Sequence, residues 1–169
     1  MGYVNDKEMS QMIPIESMSF VTGTWVPTLA SNVVSSERTS ADSSSNIFVP
    51  IPIPSNEVAL KGAKLKSIDV YYNIAVAALD DFATVELEKI VLEVDGTIPT
   101  GAAVSITLDT AHDTAAERKA LDEHKMTVTL DTPVWIDDNE VYYLYMVIDS
   151  AATSDFGMFP AVAHYELRV

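Results

Sequence analysis

The chain has 169 residues, 48% of them hydrophobic, and 25 acidic against 10 basic residues give it a net charge of −15. That length can bury one self-sufficient core, and the apolar fraction excludes a disordered chain. The charge repels phosphate backbones and anionic bilayers, so no nucleic acid and no membrane is expected as a partner. With no cysteine, disulfides, thiol catalysis and cysteine-based zinc sites drop out, which fits assembly in a reducing cytoplasm.

The opening MGYVNDKEMSQMIPIE is acidic and has no basic stretch before an apolar core, unlike a Sec signal peptide. Residues 1–18 hold four methionines and no strand pattern, and read as an N-terminal arm ahead of a single domain over residues 19–169. Met12, Ile13, Ile15 and Met18 are apolar enough to pack on another subunit; a frayed, solvated arm is the alternative. Ser19–Leu29 alternates and carries Trp25, so it reads as a first strand ending near Pro27. The stretch 31–46, with serine at 31, 35, 36, 40, 43, 44 and 45, is too polar to order itself and is expected as a long surface loop. In IFVPIPIP, Pro50, Pro52 and Pro54 remove donors from one side of an extended chain while Val49, Ile51 and Ile53 keep theirs on the other. That spacing predicts an edge strand or a polyproline-like border.

Lys64–Leu79 predicts a strand with Ile68, Val70, Tyr72, Ile74 and Val76 on one face. Ala83–Val94 predicts another whose phase slips at Glu88–Lys89, the mark of a β-bulge. Ala102–Leu108 alternates cleanly. Thr114 and Glu117 form a capping box before Ala116, Ala120 and Leu121, predicting a helix over 114–124, with an irregular loop as the alternative. Met126–Leu130 and Gly157–Val169 read as strands. Between them Val141–Asp149 is apolar on both faces, as a central strand covered on both sides would be. Seven or eight strands with one short helix make this an all-β protein, an antiparallel β-sandwich of jelly-roll form.

Catalytic signatures are missing. No His-x-His or H-E-x-x-H spacing surrounds His112, His124 or His164, and His164 with Glu166 reads as a surface ion pair. Asp137–Glu140 is the densest acidic cluster, readable as a cation loop or as turn chemistry without the EF-hand spacing. No phosphate-cradling loop or nucleophile elbow is present. Trp25, Trp135, Tyr142, Tyr143 and Tyr145 could form a sugar-stacking platform, although aromatic residues in strands more often fill a core or interface. Trp135, expected in a loop over residues 132–139, is the binding candidate among them.

The segment His112–Asp155, following the Lys64–Leu79 strand, resembles small β-sandwich virion proteins of tailed bacteriophages, and GTWVPTL (residues 23–29) is similar to segments of phage tail and fibre proteins. The resemblance implies a non-enzymatic virion component without cofactor or metal: a capsid decoration (cement) protein, trimeric, bound to the major capsid protein on the capsid surface through residues 1–18. The alternative it leaves is a tail-associated or glycan- or host-receptor-binding module.

Overall fold

The structure, a computed structural model, describes residues 5–30, 32–38, 42–55 and 62–168. Two antiparallel sheets face each other. The larger contains β1 (Asp6–Ile13), β3 (Trp25–Ala30), β4 (Val33–Arg38), β6 (Ala63–Ala75), β9 (Ile106–Leu108), β10 (Asp122–Trp135), β12 (Asp155–Met158) and β13 (Ala161–Arg168). The smaller runs, in spatial order, β2 (Ser19–Val21), β5 (Ser43–Pro50), β11 (Glu140–Ser150), β7 (Asp81–Val91) and β8 (Gly101–Val104). The one α-helix among the described residues is α1 (Ala115–Arg118), beside a 3-10 turn over Ile15–Ser17.

In the larger sheet β6 is the axis. β10 runs along one of its edges, and β12 and β13 share the other in succession. Without the added edge strands the two sheets read β4-β12/β13-β6-β10 and β5-β11-β7-β8. From β4 onward the chain changes sheet between β4 and β5, β5 and β6, β6 and β7, β8 and β9, β10 and β11, and β11 and β12. That nested alternation is a jelly roll.

Period-two patterning explains the layers. Ile68, Val70, Tyr72 and Ile74 of β6, Met126 and Val128 of β10, and Ala161 and Ala163 of β13 face Ile47, Val49, Leu87, Leu144, Met146 and Ile148 from the smaller sheet, all buried in one cluster. Each fully buried aliphatic side chain contributes about 1.5–3 kcal/mol. β11 sits in the middle of its sheet as expected, but it is covered on one side rather than both: its inward residues are buried, while Tyr143, Tyr145 and Val147 are half-buried and Val141 is exposed.

Several expectations change. Residues 6–13 are not a separate arm but an edge strand registered on β13, and Ile13, Ile15 and Met18 lie in this chain's own core. The serine tract is largely strand rather than loop, with Ser31 and Ser40 outside the described residues. Ser36 and Ser45 are buried beside a buried Arg38, whose Nη2 donates to Ser43 O at 2.9 Å. The predicted first strand breaks at Thr22–Gly23, both with positive φ, so β2 and β3 join different sheets. A Cβ on Gly23 would come within 2.8 Å of Arg38 Nε. The helix is a single turn: its capping box forms, but Asp122 already begins β10, placing His124 on a strand.

The prolines act as anticipated on one side only. Ile51 N–H donates to Tyr142 O at 2.9 Å, while β2 covers residues 46–48 on the opposite side and stops where the prolines start. Val76 is not inward but exposed at the end of β6, at φ +69°, with Ala77 N–H bonded to Ala75 O in a γ-turn. No bulge occurs at Glu88–Lys89, where β7 pairs with β11 without interruption; the register shifts instead near Asp81–Thr84. Lys89 stays on the inward phase because it has a partner there. It forms an ion pair with Glu140, which also accepts from the Tyr142 hydroxyl at 2.9 Å.

Burial alone would raise the Glu140 carboxyl, but Lys89, Tyr142 and the Asp137 N–H together hold it below the usual carboxylate range. Its contribution is therefore complete above the unfolded value of about 4.3 and disappears as pH falls through the lower folded value. Glu140→Gln should cost about 2 kcal/mol in urea unfolding at pH 7, and the gap to wild type should close on acidification toward pH 3. A gap that stays constant with pH would contradict this role.

Candidate functional site: the outer face of the smaller sheet

Alternation along β11 sends Tyr142, Leu144, Met146 and Ile148 into the core and leaves Tyr143, Tyr145 and Val147 on the outer face. Strand register then assembles rows across the sheet. Ser19, Phe48, Tyr145 and Glu86 lie opposite one another on β2, β5, β11 and β7. Pro50, Tyr143, Glu88 and Ala103 form the next row, ending on β8. Val21, Asn46, Val147 and Thr84 form the row on the other side.

The Phe48 ring stacks on Tyr145, centroids 5.0 Å apart and planes 29° apart, and meets Tyr143 at 5.7 Å. All three rings are half-buried, so they are held in place yet present surface to solvent. The Tyr145 hydroxyl donates to Asn46 Oδ1 at 3.3 Å. Partial burial pushes the Tyr143 phenol up, and the Glu88 carboxylate and Tyr145 add to the shift, so Tyr143 is a neutral hydroxyl at physiological pH. Gly101 leaves room beside it: a Cβ there would meet Glu88 Oε2 at 2.9 Å and the Tyr143 hydroxyl at 3.5 Å.

Glu86 and Glu88 take part in no ion pair and no hydrogen bond among the described residues. Among the described residues no lysine or arginine occupies this face, since Lys89 turns inward. Three clustered rings flanked by carboxylate and amide acceptors can stack against the C–H face of a flat ligand and accept hydrogen bonds from its rim.

Of the residues singled out in the sequence, only Met12 is exposed, on the edge strand, at 66%, while Ile13, Ile15 and Met18 are core. Trp135 is not in a loop. It ends β10 opposite Lys64, whose Nζ lies 5.9 Å from the ring centroid, on the larger sheet and away from the tyrosines. Trp25 packs on Phe20 and Phe156, and Tyr142 is buried. Two members of the imagined platform, Tyr143 and Tyr145, do come together. Phe48 was hidden in the proline segment, and the two glutamates look like ordinary outward strand positions until register sets them against the rings.

Elsewhere the polar groups serve the framework. Asp109 Oδ1, His112 and His124 are linked at 2.8 and 3.1 Å, and His124 Nε2 reaches Ala120 O at 2.9 Å, so these histidines are not isolated. His164 does not pair with Glu166. Its Nε2 lies 3.1 Å from Asp69 Oδ2 and its Nδ1 3.1 Å from Ser10 Oγ, while Lys66 bonds Glu166. Asp69 also binds Lys125 and Thr127, so this serine–histidine–aspartate series is one part of a cross-strand network. Glu140 of the acidic cluster is engaged by Lys89, as above. A cleft of about 390 Å³ opens over Gly157 on the larger sheet, bordered by Thr28, Glu37, Asn73 and Asp155.

No protein-family model matches the chain, and no curated protein matches it. Among solved structures it is similar to a carbohydrate-binding module of the β-sandwich superfamily, described for promiscuous specificity, at 11% identity and a TM-score of 0.38. The match covers 97% of this chain, which spans 56% of that structure. It is similar also to a family 11 carbohydrate-binding module from Clostridium thermocellum in complex with a β-1,3-1,4-mixed-linked tetrasaccharide. There the identity is 10% and the TM-score 0.34, over 98% of this chain and 89% of the other. An agarase matches at 12% identity and a TM-score of 0.30, over 86% of this chain and 22% of its own. What stands of the bacteriophage resemblance beside these findings is the β-sandwich alone.

Nitration with tetranitromethane, read by peptide mass spectrometry, should label Tyr143 and Tyr145 while the native fold protects Tyr72 and Tyr142, which are 1% and 2% exposed. Early labelling of Tyr142 ahead of Tyr143 would mean that β11 presents its other face.

Proposed function

We propose that the chain is a non-enzymatic binding module that takes a glycan on the outer face of the smaller sheet. The observation that carries this reading is the cluster of Phe48, Tyr143 and Tyr145, half-buried on a central strand pair and bordered by Asn46, Glu86 and Glu88. Sugars offer apolar C–H faces ringed by hydroxyls, and such a surface meets both parts of that chemistry. The rings are fixed by cross-strand packing, so little side-chain entropy is lost on binding.

The virion reading, with the major capsid protein as partner and a homotrimer on the capsid surface, rests on the sequence resemblance. Its anchor was to be residues 1–18, and Ile13, Ile15 and Met18 of that segment are used in this chain's own core, while Met9 and Met12 are exposed. The binding reading therefore stands first. It is compatible with a tail-associated or receptor-binding place on a phage particle.

A glycan array followed by calorimetry tests the proposal. Phe48→Ala, Tyr143→Ala and Tyr145→Ala should each weaken binding by roughly 5- to 10-fold, the equivalent of about 1 kcal/mol per ring contact. Trp135→Ala should leave affinity unchanged. Binding insensitive to all three platform substitutions would place the ligand elsewhere, and an empty array would remove the reading.

A further inference from the structure

We propose that this platform selects amino-sugar polymers whose amines are free and protonated, over neutral and anionic glycans. The inference rests on the glycan-binding reading and specifies its ligand.

Each outward tyrosine of β11 has a carboxylate directly across from it on β7, Glu88 for Tyr143 and Glu86 for Tyr145. Residues two apart on one strand are spaced roughly 6.5–7 Å, so rings and carboxylates form two parallel columns along the strands, and a polymer lying over β11 would have a carboxylate beside each tyrosine. Among the described residues both carboxylates lack a partner and no lysine or arginine lies on this face. A neutral sugar lying here would satisfy hydrogen bonds but leave two charges partly desolvated without compensation, which is costly. A uronate or sulfate would add like-charge repulsion. An ammonium group compensates the carboxylate, donates to it, and is attracted to the neighbouring ring faces. The net charge of −15 supplies long-range attraction of the same sign.

Gly101 belongs to this arrangement. A side chain there would displace the Glu88 carboxylate from beside the Tyr143 hydroxyl, so the open position on β8 keeps that acceptor available.

The test is calorimetric titration of the full chain with length-matched oligomers of glucosamine, N-acetylglucosamine, glucose and galacturonate, at a pH where the amine is protonated. Glucosamine oligomers should bind at least about 10-fold tighter than the acetylated or neutral ones, and the galacturonate oligomer should not bind. The preference should shrink when ionic strength rises from about 0.01 to 1 M, as the screening length falls from ~30 to ~3 Å.

The double substitution Glu86→Gln, Glu88→Gln should bring the amine and acetyl forms to parity while weak neutral binding persists. Glu93→Gln with Glu123→Gln, which removes the same charge at exposed positions away from the rings, should leave the preference intact. Equal or tighter binding of the acetylated, neutral or anionic oligomer overturns the inference but not the glycan reading. So does a preference that survives the first pair or is lost with the second. Failure of every oligomer to bind removes both.

Discussion

The two-sided demand on β11 organises the molecule. Its inward residues fill the centre of the core, and its outward residues must still pack against β5 and β7 while facing water. Aromatic side chains meet that demand, since they bury a large body and leave an edge or hydroxyl exposed. The platform is therefore the outer half of the same strand whose inner half holds the jelly roll together. A residue slip in β11 would exchange the two sets, placing Leu144 and Met146 in water and the tyrosines in a core sized for aliphatic residues.

Electrostatics adds a second constraint. Most buried charge is paired: Glu140 with Lys89 on the inner face, and Asp69 with Lys125 and His164 on the outer face of the larger sheet. Burial pushes the Asp69 carboxyl up, but Lys125, Thr127 and His164 together hold it below its ordinary value. Among the described residues Glu86, exposed, and Glu88, half-buried, share the lack of a partner with other surface carboxylates such as Glu93 and Glu123, and what sets them apart is their register beside three clustered rings.

Much of the framework was readable in the sequence because period-two alternation is strong where one face is buried. β6, β10 and β11 carry it over many residues, and the Thr114–Glu117 capping box marked α1. Reading failed where an exceptional residue kept its phase. Lys89 looked like a phase slip because a lysine was not expected inward, and only Glu140, some 50 residues away, explains it. The serine tract looked like a loop because serine carries little strand signal. Its small side chains are what allow Arg38 and Trp25 to fill the space around β4 and β5. The N-terminal segment looked like an arm because its apolar residues do not alternate, and its pairing partner, β13, is the last strand of the chain.

The candidate site was half legible. Tyr143 and Tyr145 were visible as outward aromatic residues, but Phe48 and the glutamates acquire meaning only through register. The most direct test of the account is backbone amide NMR of the labelled chain during titration with a bound oligosaccharide. Shift changes concentrated at Asn46–Pro50, Thr84–Glu88 and Val141–Val147 would agree with the account. Changes concentrated around Gly157, Asn73 and Glu37 on the larger sheet would contradict it.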